Sequence, residues 1–209
     1  IQSEGNADDP IFMFIGEAAG QDEVEQDRPF IGRAGQRLRE ELRKHPNTFN
    51  RENTIITNVI ACRPLNNKFP SGKNGRKLVG TCFYTWLVEE IKILKPKIII
   101  TLGSQALHFL RSDRGISSNR GDWKFLPEYR VWSLATYHPS YVLRCQNTDQ
   151  IHIPKEFEKD IQTVAGSWQE MIEHDPNMQM TEEEWLKEKS FYKAMNMGII
   201  KPVCVSELD

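Results

Sequence analysis

Apolar residues in this chain come in short unbroken runs, and between the runs they return with the three-to-four spacing of helices. "IFMFIG", "TIITNVI", "KIIITLG" and "RVWSLATY" read as strands, while "RLREELRKH", "FYTWLVEEIKIL" and "QALHFLR" read as helices between them. Strands that alternate with helices pair in parallel through crossovers. The pattern therefore predicts a three-layer α/β/α sandwich around a mostly parallel, four-stranded sheet. After residue 152 the pattern changes to one long helix, "PKEFEKDIQTVAGSWQEMI", then a polar break, "EHDPNMQM", then an acidic helix opened by "TEEEW". Thr181 with Glu184 has the spacing of a capping box. The expected division is one domain over 1–175 and an acidic C-terminal tail or linker over 176–209.

Parallel sheets take their ligands at the carboxyl ends of their strands, and the unusual residues of this chain fall there. "FIG" runs into "EAAGQDEVEQDRPFIGRAG", "IITNV" into "IACRPLNN", "IIITLG" into a helix, and "SLATY" into "HPS". Glu17, Glu23, Asn58, Gly103 and His138 are thereby expected around one cleft. The first loop is glycine-rich, yet it is no phosphate cradle. It lacks the Gly-Lys-Ser/Thr ending, and Asp22, Glu23, Glu25 and Asp27 would repel an anion. Carboxylates in such a place suit a developing cation or a water awaiting deprotonation. A solvated acidic loop is the plainer alternative for the stretch taken alone.

The longest apolar runs are strand-sized, so no membrane span is expected. With no secretory signal in view, the expected location is intracellular, and a first residue of Ile marks the chain as a candidate piece of a longer protein. Cys62, Cys82, Cys145 and Cys204 are widely spaced and form no C-x-x-C pair, which indicates neither a zinc ribbon nor a disulfide framework. The net charge of −2 conceals a split: residues 1–150 hold 21 basic and 17 acidic side chains, residues 151–209 hold 6 and 12. Arg63, Lys68, Lys73, Arg76 and Lys77, read as one basic loop, make a polyanion an acceptable partner.

"GEAAGQDE", "DRPFIGRAG", "TNVIACRPLNN", "LGSQAL", "RG" and "YHPSYVLR" occur in the order and spacing of the uracil-DNA glycosylase superfamily, and the chain resembles most its family 4, the iron–sulfur branch. The resemblance spans roughly residues 10–165. It implies an enzyme that flips a deoxyuridine out of DNA and hydrolyses the bond between C1′ and N1. It further implies that Glu17 organises the pocket, that Glu23 positions water or crowds the C5 position, and that Ala18 and Gly20 present backbone N–H groups. Phe30 would stack on uracil, and Asn58 would read O4 and N3–H. His138 would donate to O2 of the leaving base. Ser140, Tyr141, Val142, Leu143 and Arg144 would form the wedge and DNA contacts, with Arg63 on the backbone.

Two departures stand out. The family's first motif reads Gly-Glu-x-Pro-Gly, whereas Ala19 replaces the proline here. The branch holds a [4Fe–4S] cluster on four cysteines, and only Cys62 and Cys82 match its later pair. Two readings therefore stay open: a monofunctional glycosylase for uracil or a related base, and a glycosylase-like module that binds DNA without cleaving it, fused or bound to other replication or repair modules. A metal-dependent nucleotide hydrolase is disfavoured, since the carboxylates have no histidine at ligand spacing.

Overall fold

The first strand decides the layering. In β1 (Phe12–Ala18) the side chains of Phe12, Met13, Phe14 and Ile15 are all fully buried. Successive strand residues point to opposite faces, so Phe12 and Phe14 enter one apolar cluster and Met13 and Ile15 another. The computed structural model describes residues 1–6, 8–181 and 183–185. The rest of the expected tail, Cys204 included, lies outside the described residues.

After β1 come α1 (Gln21–Gln26), α2 (Arg33–Leu42) and β2 (Thr54–Ile60). A helical stretch follows as α3 (Gly72–Cys82), a π turn over Phe83–Leu87 and α4 (Val88–Leu94). Next are β3 (Ile98–Leu102), α5 (Ser104–Arg111), α6 (Ile116–Asn119), β4 (Trp123–Leu126) and β5 (Val131–Thr136). The described chain then continues through α7 (Pro139–Cys145), α8 (His152–Glu173) and α9 (Pro176–Gln179). The sheet runs β2-β1-β3-β5-β4, parallel except for the β4–β5 pair. Leu38 and Leu42 of α2, Val142 of α7, and Phe157, Ile161 and Val164 of α8 pack on one face. Val79, Phe83, Leu87 and Ile91 pack on the other with Ala106 and Leu110 of α5. This is the three-layer sandwich that the periodicity predicts.

Two expectations need correction. The sheet has five strands, not four. β4 is four residues long, with half-buried Trp123, Lys124 and Phe125 before buried Leu126, too short and mixed to show a period. The basic stretch after Arg63 is not one loop: Lys73, Arg76 and Lys77 stand on α3. Gly72, Gly75 and Gly80 disguise that helix in the sequence, because glycine disfavours helix interiors.

Residues 176–181 and 183–185 lie beside the antiparallel edge. Arg130 donates from Nε to the Asn177 carbonyl at 2.9 Å, and its guanidinium stacks on the Trp185 ring. The Thr181–Glu184 box is formed, with the Thr181 N–H donating to Glu184 at 2.7 Å and the Glu184 N–H donating to Thr181 Oγ1 at 3.3 Å.

The end of β5 is tied to α8 by Asp160, which is 1% exposed. Its carboxylate accepts from Thr136 Oγ1 at 2.6 Å and takes both donors of the Arg120 fork. Removing one partner of a buried ion pair leaves an uncompensated charge. Asp160→Ala should therefore lower the unfolding free energy by about 3–5 kcal/mol in chemical denaturation. Glu89→Ala, which breaks the exposed pair with Lys92, should cost about 1 kcal/mol or less.

Candidate active site

Gly16 of β1 sits in register with Asn58 of β2. A methyl group on Gly16 would lie 2.6 Å from Asn58 Oδ1 and would overlap the Phe30 ring. Bare backbone at this point lets a carboxamide and an aromatic ring close on the same strand end. Asn58 is 5% exposed, and its Oδ1 has no hydrogen-bond partner among the described residues. A buried acceptor left open is costly unless a ligand fills it. Phe30 is held in the left-handed region at φ 55°. Arg39 fixes this conformation from behind, donating to the carbonyls of Phe30 at 3.1 Å and Pro29 at 3.2 Å. Gly35 gives those peptides room, since a side chain there would collide with the Phe30 carbonyl.

The acidic loop has two different carboxylates. Glu23 accepts from the Gly32 N–H at 2.9 Å and lies over Gly20, where a side chain would meet its Oε2. It is thus a tie between the two halves of the glycine-rich segment. Glu17, the next-to-last residue of β1, accepts no hydrogen bond from the described residues. Burial raises its pKa above the ordinary glutamate value, an effect that the positive charge of Arg144 opposes. Ala19 is 3% exposed and packs where the proline was expected.

His138 caps α7. Its Nδ1 accepts from the Ser140 N–H at 3.2 Å and lies 2.8 Å from Ser140 Oγ. An Nδ1 used as acceptor carries no proton, so the ring proton resides on Nε2. Desolvation, aided by Arg144, depresses its pKa to about 4, and the ring is neutral at physiological pH. Gly103, at φ 88°, brings β3 against this residue: a side chain there would lie 2.8 Å from His138 Cβ. The Phe30 and His138 rings stand 6.2 Å apart at 38°.

These groups share one cleft of about 390 Å³, lined by Glu17, Ala18, Gly20, Glu23, Phe30, Asn58, His138, Ser140 and Arg144, all nine singled out from the sequence. Five further lining residues, Ala34, Gly35, Pro64, Asn67 and Phe69, were not. Four of them, Ala34, Gly35, Pro64 and Asn67, stand within the stretches "DRPFIGRAG" and "TNVIACRPLNN", and the Asn pair 66–67 is a turn signal that the structure realises as left-handed backbone. Arg63, Tyr141 and Leu143 lie outside the cleft. Arg63 donates to Asn67 Oδ1 at 2.6 Å and so braces the loop. Tyr141 donates to Gln150 at 3.2 Å and stacks under Arg144. Leu143 lines an adjoining depression of about 360 Å³ with Arg33, Ala34, Ser140 and Arg144. Val142 is 1% exposed and belongs to the core, so of the apolar pair only Leu143 faces outward.

Cys62 is exposed and Cys82 half-buried, and the two are close enough that Cys62 adds to the effect of burial in raising the Cys82 thiol pKa. Among the described residues no group of three or more His, Cys, Asp or Glu is placed to hold a metal. Buried Cys145 instead contacts Gln150 at 3.0 Å. Cys62 and Cys82 supply two of the four thiolates that such a cluster takes.

The chain is similar to the type-4 uracil-DNA glycosylase of Thermotoga maritima, 36% identical over 154 residues, covering 71% of this chain and 74% of that protein. The corresponding figures for the type-4 enzyme of Pyrobaculum aerophilum are 37% over 161 residues, 74% and 76%. For that of Sulfurisphaera tokodaii they are 35% over 155 residues, 70% and 67%. Residues 2–164 match the sequence model of the uracil DNA glycosylase superfamily, and the chain belongs to that superfamily.

Proposed function

We propose that this chain is a monofunctional DNA glycosylase that hydrolyses the N-glycosidic bond of uracil flipped out of DNA. The observation that carries this reading is the open, buried acceptor of Asn58 at the base of the cleft. Uracil offers N3–H to that oxygen and O4 to the amide NH₂ beside it, whereas cytosine inverts both. The Phe30 ring provides a stacking surface worth about 1–3 kcal/mol per base.

The chemistry follows from charge. As the C1′–N1 bond lengthens, its electron pair moves into the base and the sugar becomes cationic. The neutral His138 donates Nε2–H to uracil O2 and stabilises the growing anion without first having to lose a proton. On the sugar side, Glu17 accepts no hydrogen bond from the described residues, while Glu23 already spends Oε1 on the Gly32 N–H and keeps only Oε2 open. Glu17 therefore orients the water that adds to C1′ and accepts its proton, and Glu23 holds the loop that shapes the pocket. Ser140 fixes the ring of His138, and Arg144, Leu143 and Arg63 face the DNA. No lysine lies among the cleft residues to form a Schiff base. The reaction as derived uses these side chains alone and involves no step through an iron–sulfur cluster.

The decisive experiment is cleavage of a uracil-containing oligonucleotide, single- and double-stranded. Abasic product should form, with strand breaks appearing only after alkali. Binding without product would favour the non-cleaving module.

Asn58→Asp should lose about 10²-fold in kcat/KM on uracil and gain measurable release of cytosine, because a carboxylate accepts from the cytosine amino group. Unchanged uracil kinetics would remove Asn58 from the pocket.

The pH profile separates the two titrating groups. Glu17 must be ionised to accept a proton, so activity should fall as pH drops through a value above the ordinary glutamate 4.5. His138, already neutral above about 4, should give no limb near 6.5. Glu17→Gln should abolish the acid limb along with roughly 10²–10⁴-fold of the rate. A limb near 6.5 that His138→Asn removes would show that the imidazolium takes part.

A further inference from the structure

A second cavity, of about 340 Å³, opens at the other end of the sheet. Its floor is apolar, made by Leu42, Pro46, Phe49 and Ile56, and its rim carries Arg28, Arg39, Arg43 and Arg51. Leu42, Phe49 and Ile56 belong to the core, so the floor is rigid. Glu4 is the one carboxylate in the lining. It accepts from the Arg28 fork at 3.2 and 3.1 Å and lies 3.1 Å from Arg39. Arg43 and Arg51 are exposed and make no ion pair among the described residues. Half of the rim is thus occupied by a carboxylate of the chain itself, and the other half awaits one.

The position decides what kind of anion it serves. Arg43 caps the C-terminal end of α2, whose first residue, Arg33, borders the depression beside the cleft. Ten helical residues carry the chain about 15 Å. Arg51 stands three residues before β2, whose first residue, Thr54, is about 13 Å along the strand from Asn58. Both guanidiniums thus stand toward the amino ends of the strands, away from the carboxyl ends where the cleft opens. A phosphodiester backbone also has nothing apolar to place against Leu42 and Phe49. A peptide has both, and Glu4 already displays how the rim holds a side-chain carboxylate. We infer that this cavity is a docking site for an acidic peptide segment of a partner protein, with an apolar side chain seated on Leu42, Phe49 and Ile56 and carboxylates on Arg43 and Arg51.

Fluorescence anisotropy with a labelled peptide of alternating glutamates and leucines, titrated with the full chain, tests this inference. Binding should weaken about tenfold or more in Arg43→Glu/Arg51→Glu and about tenfold when the leucines of the peptide are changed to serine. The double variant should stay folded, with its thermal midpoint lowered by no more than a few degrees from the reversed charge at the end of α2, and should keep its rate of uracil excision, because neither arginine lines the cleft. Three results would overturn the inference. They are no binding, equal affinity for a peptide of glutamates alone, and displacement by uracil-free duplex DNA as effective as by unlabelled peptide, which would make the cavity part of a nucleic-acid surface. The excision assay is independent of all three, so failure here leaves the glycosylase reading intact.

Discussion

Everything in the cleft depends on the absence of one methyl group. Gly16 ends the buried part of β1, and the Phe30 ring and Asn58 amide approach the space that a side chain would take. Because parallel neighbours are in register here, Asn58 has no freedom to move away from Gly16 without disturbing the β1–β2 ladder. The aromatic ring is fixed as firmly: its backbone is left-handed, its carbonyl is pinned by Arg39, and Gly35 leaves no slack behind it. The plane proposed to receive the base is thus set by backbone geometry, before any side chain chooses a rotamer.

The opposite wall of the cleft is set by the end of β5. Asp160 holds Thr136, whose carbonyl accepts from the Gly103 N–H at 2.8 Å, and Gly103 touches His138. The histidine then spends its Nδ1 on the first turn of α7. One buried ion pair on α8 therefore lies behind the direction in which a ring proton points. Such electrostatic preorganisation costs nothing at the moment of reaction, since no dipole has to turn.

How far the sequence disclosed this arrangement depended on the physics of each part. Four strands were legible because unbroken apolar runs such as "KIIITLG" have no other stable use in a chain of this kind. β4 was not, for its side chains are half-covered and its pairing partner arrives only in the fold. α3 was hidden by its glycines. Among the residues lining the cleft, Asn58 was legible from its place near the end of a strand and His138 from its place after one. The different surroundings of Glu17 and Glu23 were not, because they rest on which carboxylate the Gly32 N–H reaches across nine residues. The core position of Val142 was equally invisible, since "YVLR" reads the same whichever face of a helix is covered. The arginine-rimmed cavity assembles Glu4, Arg28, Arg43 and Arg51 from separate segments, and no local pattern announces it.

The first residues of the chain have a further consequence for the sheet. Glu4 forms an antiparallel bridge with Ile56, donating and accepting at 3.0 and 2.9 Å, and Asn6 donates to the Arg51 carbonyl at 3.2 Å. β2 would otherwise be an open rim of fully buried-type residues, the kind of surface on which foreign strands grow. At the far rim, β4 is only four residues long, which leaves little edge for a foreign strand to pair with. The same short segment that anchors a carboxylate among arginines thus also acts as a selvedge, the woven border that keeps a fabric from fraying into its neighbours.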